Sequence, residues 1–262
     1  MSLNIPLRKV FQAKARASGA WLTLPSTAIA RSLALTKGVS WVVIDGEHGL
    51  ITDSQYYDLA NAISGAGASP LIRIPGDEVW QIKRALDSGA HGIMIPMANS
   101  VEIVRKVVSA CKYPPNGIRG FGPMFTHAAG ALGGSYKEDA DKNLVIAVQI
   151  EHPDAVRDIE QIVKEDIDVA FIGPFDLSIA MGVEFGGKEH EAAIQKILDA
   201  SHAAGKTAAI FCLNGEQAEK RFKQGFAMVS VSTDIDTLVD GFAKHLSQVN
   251  GGPSGASSGY SS

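Results

Sequence analysis

The feature that most constrains this chain is an alternation. Short β-branched or apolar runs are followed, again and again, by longer segments whose apolar residues recur at helical spacing. Strands are expected at Trp21 to Leu24, Trp41 to Ile44, Pro70 to Ile74 and Gly92 to Ile95, then at Val145 to Ile150, Asp168 to Ile172, Thr207 to Phe211 and Met228 to Val231. Runs so uniformly apolar suit parallel strands buried on both faces. Helical stretches lie between them at Asp53 to Ser64, Val101 to Cys111, Ala155 to Lys164, Glu191 to Ala204 and Gln217 to Gln224. Asp53 is placed to cap the first of these, and Gly205 and Gly225 are placed to end the last two.

Eight strand–helix repeats with right-handed crossovers close into a (β/α)8 (TIM) barrel. The 262 residues agree with the roughly 250 typical of that architecture, so a single domain over residues 1–249 is expected. An open doubly wound sheet is the alternative. It would want a Gly-rich dinucleotide turn after the first strand, where this chain has Leu24-Pro25-Ser26. Two segments break the rhythm. Tyr113 to Asn143, between strands four and five, is too long for a plain connection and is expected to be a loop that is either functional or disordered. From Asn250 the chain is rich in Gly and Ser, which reads as a flexible tail over 250–262.

Formal net charge is −4 and no Lys/Arg run occurs, so nucleic acid and anionic membrane surfaces are excluded as expected partners. No apolar run approaches the roughly 20 residues that cross a bilayer, and Met1 to Lys9 lacks the apolar core of a secretory signal. Cys111 and Cys212 are far apart, without zinc-like spacing. They read as reduced thiols of a cytoplasmic protein.

In such a barrel the reactive groups stand at the C-terminal ends of strands. Strand two ends in Ile44-Asp45-Gly46-Glu47-His48-Gly49, strand three carries Arg73, strand five ends in Gln149-Ile150-Glu151, and strand six runs into Gly173-Pro174-Phe175-Asp176. Glu151 and Asp176 offer two hard oxygen ligands with open positions, which suits Mg2+ or Mn2+. Equally, both fit as solvated loop acids, and Asp176 as a helix cap. Asp45 and His48 flank a turn that brings them within hydrogen-bond reach, as a carboxylate-oriented general base requires; a histidine that merely caps a loop is the other reading. Arg73 inside the rim must meet an anion, either a substrate oxyanion or an acid such as Asp45 or Asp87. His91, before strand four, reads as structural at the opposite face, and His152-Pro153 as a helix start. No strand carries a lysine in its C-terminal half, and Lys206 precedes strand seven. A Schiff-base mechanism lacks its amine, so carbonyl activation would fall to a metal.

With these residues in place the chain resembles the class II pyruvate aldolases of the HpcH/HpaI family. The matching motifs are Ile44-Asp-Gly-Glu-His-Gly49, Ile72-Arg-Ile-Pro75, Leu86-Asp-Ser-Gly89, Gly117-Ile-Arg-Gly120, Gln149-Ile-Glu151 and Gly173-Pro-Phe-Asp-Leu177. The Gly-Phe-Gly-Pro loop is similar to the macrophomate synthase-like fungal branch. The resemblance implies a lyase that makes or breaks the C–C bond of a 4-hydroxy-2-oxoacid through a pyruvate enolate. The alternatives are an oxaloacetate decarboxylase or enolate-trapping enzyme, and a barrel that binds a 2-oxoacid without turning it over. It implies Glu151 and Asp176 as ligands of a divalent metal, with Mg2+ first and Mn2+ or Co2+ as alternatives. It also implies His48 as base oriented by Asp45, Arg73 on the keto oxygen, and substrate contacts at Gln149, Pro174, Phe175, Trp21 and His127. The partners implied are a 2-oxoacid of pyruvate or oxaloacetate type, an aldehyde, and further copies of the chain in a hexamer built as a trimer of dimers. In that assembly Asp87, counted with the catalytic residues, and the long loop lie near a neighbour's site. At His127 the aldolases that take acidic aldehydes carry an arginine. Its loss, with Phe121, Phe125 and Tyr136 nearby, suggests a more aromatic pocket.

Overall fold

The structure is a computed structural model that describes residues 3–250. Its strands are β1 (Ala17–Leu22), β2 (Val39–Asp45), β3 (Ser69–Arg73), β4 (Gly92–Ile95), β5 (Val145–Ile150), β6 (Val169–Ile172), β7 (Thr207–Ile210) and β8 (Met228–Thr233). Each is parallel to the next, and β8 pairs back onto β1. The expected (β/α)8 barrel is therefore closed, with helices outside and one continuous apolar core. Of the tail expected over 250–262, Asn250 instead ends the C-terminal helix, Asp234–Asn250, and 251–262 lie outside the described residues.

Several boundaries differ from expectation for identifiable reasons. β1 begins at Ala17, ahead of Trp21, because its first half is Ala-Ser-Gly-Ala and carries no β-branched signal. Small residues are needed there: a Cβ on Gly19 would lie 2.1 Å from the Trp41 ring. Trp41 is fully buried and its indole N–H donates to the Ala17 carbonyl (3.1 Å). β6 starts one residue after Asp168, whose carboxylate instead takes a two-pronged ion pair from Arg8 (2.5 and 2.8 Å) and the N–H of Ile146 (2.9 Å). Asp53 does not cap the Tyr56–Ser64 helix. It lies in a 3-10 turn, Asp53–Gln55, capped by Thr52, whose N–H donates to Gln55 (2.7 Å); Asp53 pairs with Arg84. Gly225 closes its helix with a left-handed φ of 111°, as expected of a residue without a Cβ.

The long segment Tyr113 to Asn143 is not one loop. It holds a 3-10 turn, Thr126–Ala129, and an 11-residue helix, Gly133–Asn143, whose polar composition conceals a helical period. Arg119 pins it to the barrel's flank. The guanidinium is sandwiched between Tyr113 (4.7 Å) and Tyr136 (5.3 Å) and donates to Asp87 (2.6 Å) and to the Tyr136 hydroxyl (3.1 Å).

The barrel interior orients the site. Trp41 on β2 and Phe171 on β6 come from opposite walls and meet edge to face at 6.3 Å, so both point inward. Side chains two apart on a strand share a face, so Asp45 points inward as well. The register sets Asp45 beside Arg73 of β3 and Gln149 of β5 beside Phe171. The apolar layer at mid-height thus carries a polar layer above it, at the C-terminal mouth.

Candidate active site

That mouth opens into a cavity of about 590 Å³. Trp21, Asp45, His48, Arg73, Gln149, Pro174, Phe175 and Asp176, eight of the expected site residues, line it. No lysine does; Lys206 donates to the Ile167 carbonyl (2.8 Å), below β6.

Arg73 is held as a fork. Its Nε donates to Asp45 Oδ1 (2.9 Å) and Nη2 to Asp45 Oδ2 (2.7 Å), and its guanidinium lies 4.8 Å from the Trp21 ring centre. Trp21 Nε1 also donates to Asp45 Oδ2 (3.0 Å). Burial works to raise the Asp45 carboxyl, but the hydrogen bonds and charge of Arg73 outweigh it and hold the group below the ordinary range. Of the two partners foreseen for Arg73, Asp45 is the one it takes; Asp87 belongs to Arg119.

Asp45 does not orient the His48 ring. Its Oδ1 accepts from the backbone N–H of Glu47 (3.1 Å) and of His48 (3.2 Å), which fixes the turn but not the imidazole. The reason is supply: the Asp45 oxygens are already committed to Arg73, Trp21 and the turn. The imidazole, 61% exposed, has Glu47 as its acidic neighbour, with Nε2 3.8 Å from Oε1. Glu47 was not singled out in the sequence, although it stands inside the Asp-Gly-Glu-His-Gly motif. Its second oxygen lies 2.9 Å from Arg73 Nη1.

Glu151 sits at the end of β5, almost fully buried. Oε2 accepts from Gln149 Nε2 (2.8 Å) and Oε1 from the Met97 N–H (2.7 Å). Met97 delivers that N–H from a left-handed φ of 50°, a strained conformation for a residue with a Cβ. Gly173 makes room on the other side, since a Cβ there would lie 2.2 Å from Glu151 Oε2. The Glu151 carboxyl is pushed up to about 7, chiefly by burial. The Met97 N–H opposes this, and the charges of Asp176 and Glu47 add to it. Asp176 occupies the first turn of the Pro174–Met181 helix, whose cap is Gly173. The capping role considered for Asp176 is therefore not the one it plays. Among the described residues no three or more His, Cys, Asp or Glu side chains gather as a metal cluster. The pair Glu151 and Asp176 would leave most positions of a cation to other donors.

Three expected residues do not line this cavity: Glu151 sits just behind its wall, against Gln149 and Gly173, and two stand apart from it. His127 lies beside Tyr57, its Nδ1 3.4 Å from the phenol oxygen, and Asp87 is bonded to Arg119. Phe121, Phe125 and Tyr136 do not line the cavity either, because the long segment folds along the flank rather than over the mouth. The aromatic wall comes instead from Phe175, Phe211 and Trp21. Phe211 and the rim residues Thr23, Leu50, Ile179, Thr233 and Ile235 were missed. One signal was available: Thr233-Asp234 at a strand end is a capping signature, and Asp234 accepts from the backbone N–H groups of Thr23 (3.0 Å) and Leu24 (2.9 Å), tying the β1 rim to the β8 rim. His91 is structural, as expected. It is buried, its Nδ1 meets the Ser69 hydroxyl (3.2 Å), its Nε2 donates to the Ala128 carbonyl (2.7 Å), and burial lowers it to about 4.

A closed parallel barrel with acids, a guanidinium and an imidazole converging at its C-terminal mouth is the architecture of a barrel enzyme. The chain belongs to the HpcH/HpaI aldolase/citrate lyase family, whose pattern it matches over residues 17–241. It is 34% identical over 250 residues to the hydroxypyruvate/pyruvate aldolase of Agrobacterium fabrum, covering 92% of this chain and 93% of that one. It is 33% identical over 244 residues to the 2-keto-3-deoxy-L-rhamnonate aldolase of Escherichia coli, covering 90% of each. The crystal structure of an HpcH/HpaI aldolase from Desulfitobacterium hafniense superposes with a TM-score of 0.88 at 28% identity, over 95% of this chain and 98% of that one. These relationships make the chain a carbon–carbon lyase.

Proposed function

We propose that the chain is a class II aldolase that cleaves or forms the C3–C4 bond of a 4-hydroxy-2-oxoacid through a pyruvate enolate. The observation that carries this reading is the buried Arg73, locked by Asp45 and aimed into the same lysine-free cavity that Asp176 lines, with Glu151 held just behind its wall against Gln149 and Gly173. Retro-aldol cleavage leaves negative charge on the enolate oxygen, and a preorganised guanidinium stabilises that charge. His48, at the open mouth, takes the C4 hydroxyl proton in cleavage or a methyl proton of pyruvate in condensation. The start of the Pro174–Met181 helix receives the 2-oxoacid carboxylate, since helix N-termini favour anions. Trp21, Gln149 and Phe175 confine the pyruvyl half.

Glu151 and Asp176 fit a divalent cation. Glu151 is pushed up chiefly by its burial, with the charges of Asp176 and Glu47 adding to it, and such a crowd of hard oxygens is relieved by positive charge. Mg2+ is the proposed ion, with Mn2+ or Co2+ as substitutes; when bound it supplies Lewis-acid polarisation of the 2-oxoacid oxygens. Oxaloacetate decarboxylation yields the same enolate and is expected as a side activity of the same residues.

The chain is further proposed to act as a homo-oligomer, a hexamer built as a trimer of dimers. Supporting this is the C-terminal helix, Asp234–Asn250, whose apolar positions Leu238, Val239, Phe242, Leu246 and Val249 all face solvent. Asp87 and His127, outside this cavity, are proposed to serve a neighbour's. Two unpaired buried thiols, Cys111 and Cys212, and the lack of any described helix long and apolar enough to cross a membrane support a cytoplasmic setting.

The deciding assay compares pyruvate release from 4-hydroxy-2-oxoacids with release from oxaloacetate, with and without Mg2+. Metal-dependent aldol cleavage that is lost in Glu151→Gln is the expected result. Decarboxylation alone would reassign the reaction, and no turnover of either substrate would leave a binding barrel.

A further inference from the structure

We propose that Glu47, not Asp45, is the carboxylate that holds the His48 imidazole, acting as a positioning residue between Arg73 and the base. The proposal deepens the reading of His48 as the base and rests on it.

Asp45 has no capacity left for the ring: its two oxygens serve Arg73 twice, the Trp21 indole and two backbone N–H groups. Glu47 has capacity. Its Oε2 is sealed from solvent and lies 2.9 Å from Arg73 Nη1, off the N–H direction, so it is ion-paired without a directed hydrogen bond. Clamped at one oxygen by a buried guanidinium, the carboxylate presents the other, Oε1, to His48 Nε2 at 3.8 Å. The carboxylate is largely buried, whereas the ring is exposed and turns about its own χ angles. A small rotation of the ring closes the gap to hydrogen-bond length.

The surrounding charges support the pairing. Facing Glu47 are Arg73 from β3, His48 and Asp45 from its own turn, Asp176 from the Pro174–Met181 helix and Glu151 from the end of β5. Burial raises the Glu47 carboxyl, the positive charges of Arg73 and His48 pull it down, and Asp45 and Asp176 push it up. Once His48 gains a proton, its charge and that of Arg73 flank Glu47 on both sides, which favours imidazolium and carboxylate together. In the neutral ring the pairing places the proton on Nε2 and leaves Nδ1 as the basic atom. Nδ1 then accepts the C4 hydroxyl proton, the C3–C4 electron pair passes to the enolate, and the aldehyde departs.

The test is 15N NMR of histidine-labelled, full-length protein, reading the tautomer of the His48 ring. The wild type is expected to show the Nε2–H tautomer. Glu47→Gln is expected to release that preference, so that both tautomers appear, and to lower kcat with little change in KM. Asp45→Asn is expected to leave the Nε2–H tautomer in place. An Nδ1–H tautomer in the wild type, or a tautomer that changes in Asp45→Asn and not in Glu47→Gln, overturns the proposal. The wild-type spectrum needs no variant to fold. Because the NMR readout needs no turnover, a failed aldolase assay and a failed pairing are distinguishable.

Discussion

At the scale of single residues, the site is a set of commitments made by buried carboxylates. Asp45 is spent on Arg73, so Arg73→Ala would strand a buried charge. A loss of about 3–5 kcal/mol of stability is expected, with kcat reduced by on the order of 10²–10³, read by urea unfolding and by steady-state pyruvate release. An intact kcat would remove Arg73 from the enolate. Gly173 is spent on Glu151. Gly173→Ala is expected to displace the carboxylate and weaken Mn2+ binding at least tenfold by calorimetric titration, while the thermal midpoint moves little. Glu151 also sets a pH dependence. Its folded value of about 7 lies above the ordinary 4.5, so the native chain keeps a proton that the unfolded chain releases. The stability from this group is full below pH 4.5 and is lost as pH rises toward 7, by on the order of 3 kcal/mol. Urea midpoints of metal-free protein should fall across that window and do so less in Glu151→Gln. A rise there, or an equal fall in the variant, would contradict the assignment.

At the scale of elements, strand ends and connections carry the function. β2 and β3 set Asp45 against Arg73 by register alone, and Met97 after β4 takes a strained backbone to reach Glu151. The C-terminal helix behaves unlike the others: its chief contacts are with β1 and β8, while Phe242 and Val249 remain 68% and 81% exposed. A stripe of that kind on one helix face marks an association surface. Replacing both Leu238 and Phe242 by Ser is expected to reduce the mass seen by light scattering at micromolar concentration and to leave far-UV circular dichroism unchanged. An unaltered mass would show that this helix does not hold copies together. The polar helix Gly133–Asn143 illustrates what periodicity misses, since Tyr136 and Ala140 alone fix its inner face.

At the scale of the molecule, stability and chemistry are separated. The core is apolar and continuous, whereas Glu151 and Asp176 stand above it at the mouth. Chelation with EDTA is therefore expected to abolish aldol cleavage with the barrel's circular dichroism intact, and Mg2+ to restore the activity. Unfolding on chelation would instead make the cation part of the fold.

Much of this was legible in the chain alone. Eight apolar runs at regular spacing can bury both faces of every strand only by closing with helices outside. The rim motifs follow at once, because a strand's last residues must face the mouth. That rule places Glu151, Asp176, Arg73, Asp45, His48, Gln149 and Phe175 at the strand ends and the turns that follow them, where the structure has them. Tertiary structure decided how these groups pair. Spacing placed Asp45 and His48 together, but competition for hydrogen bonds gave Asp45 to Arg73 and left Glu47 beside the imidazole. Position in the sequence also could not tell that the long segment folds along the flank. That depended on one buried arginine between two tyrosines, an arrangement of side chains distant in the chain that carries no periodic signal.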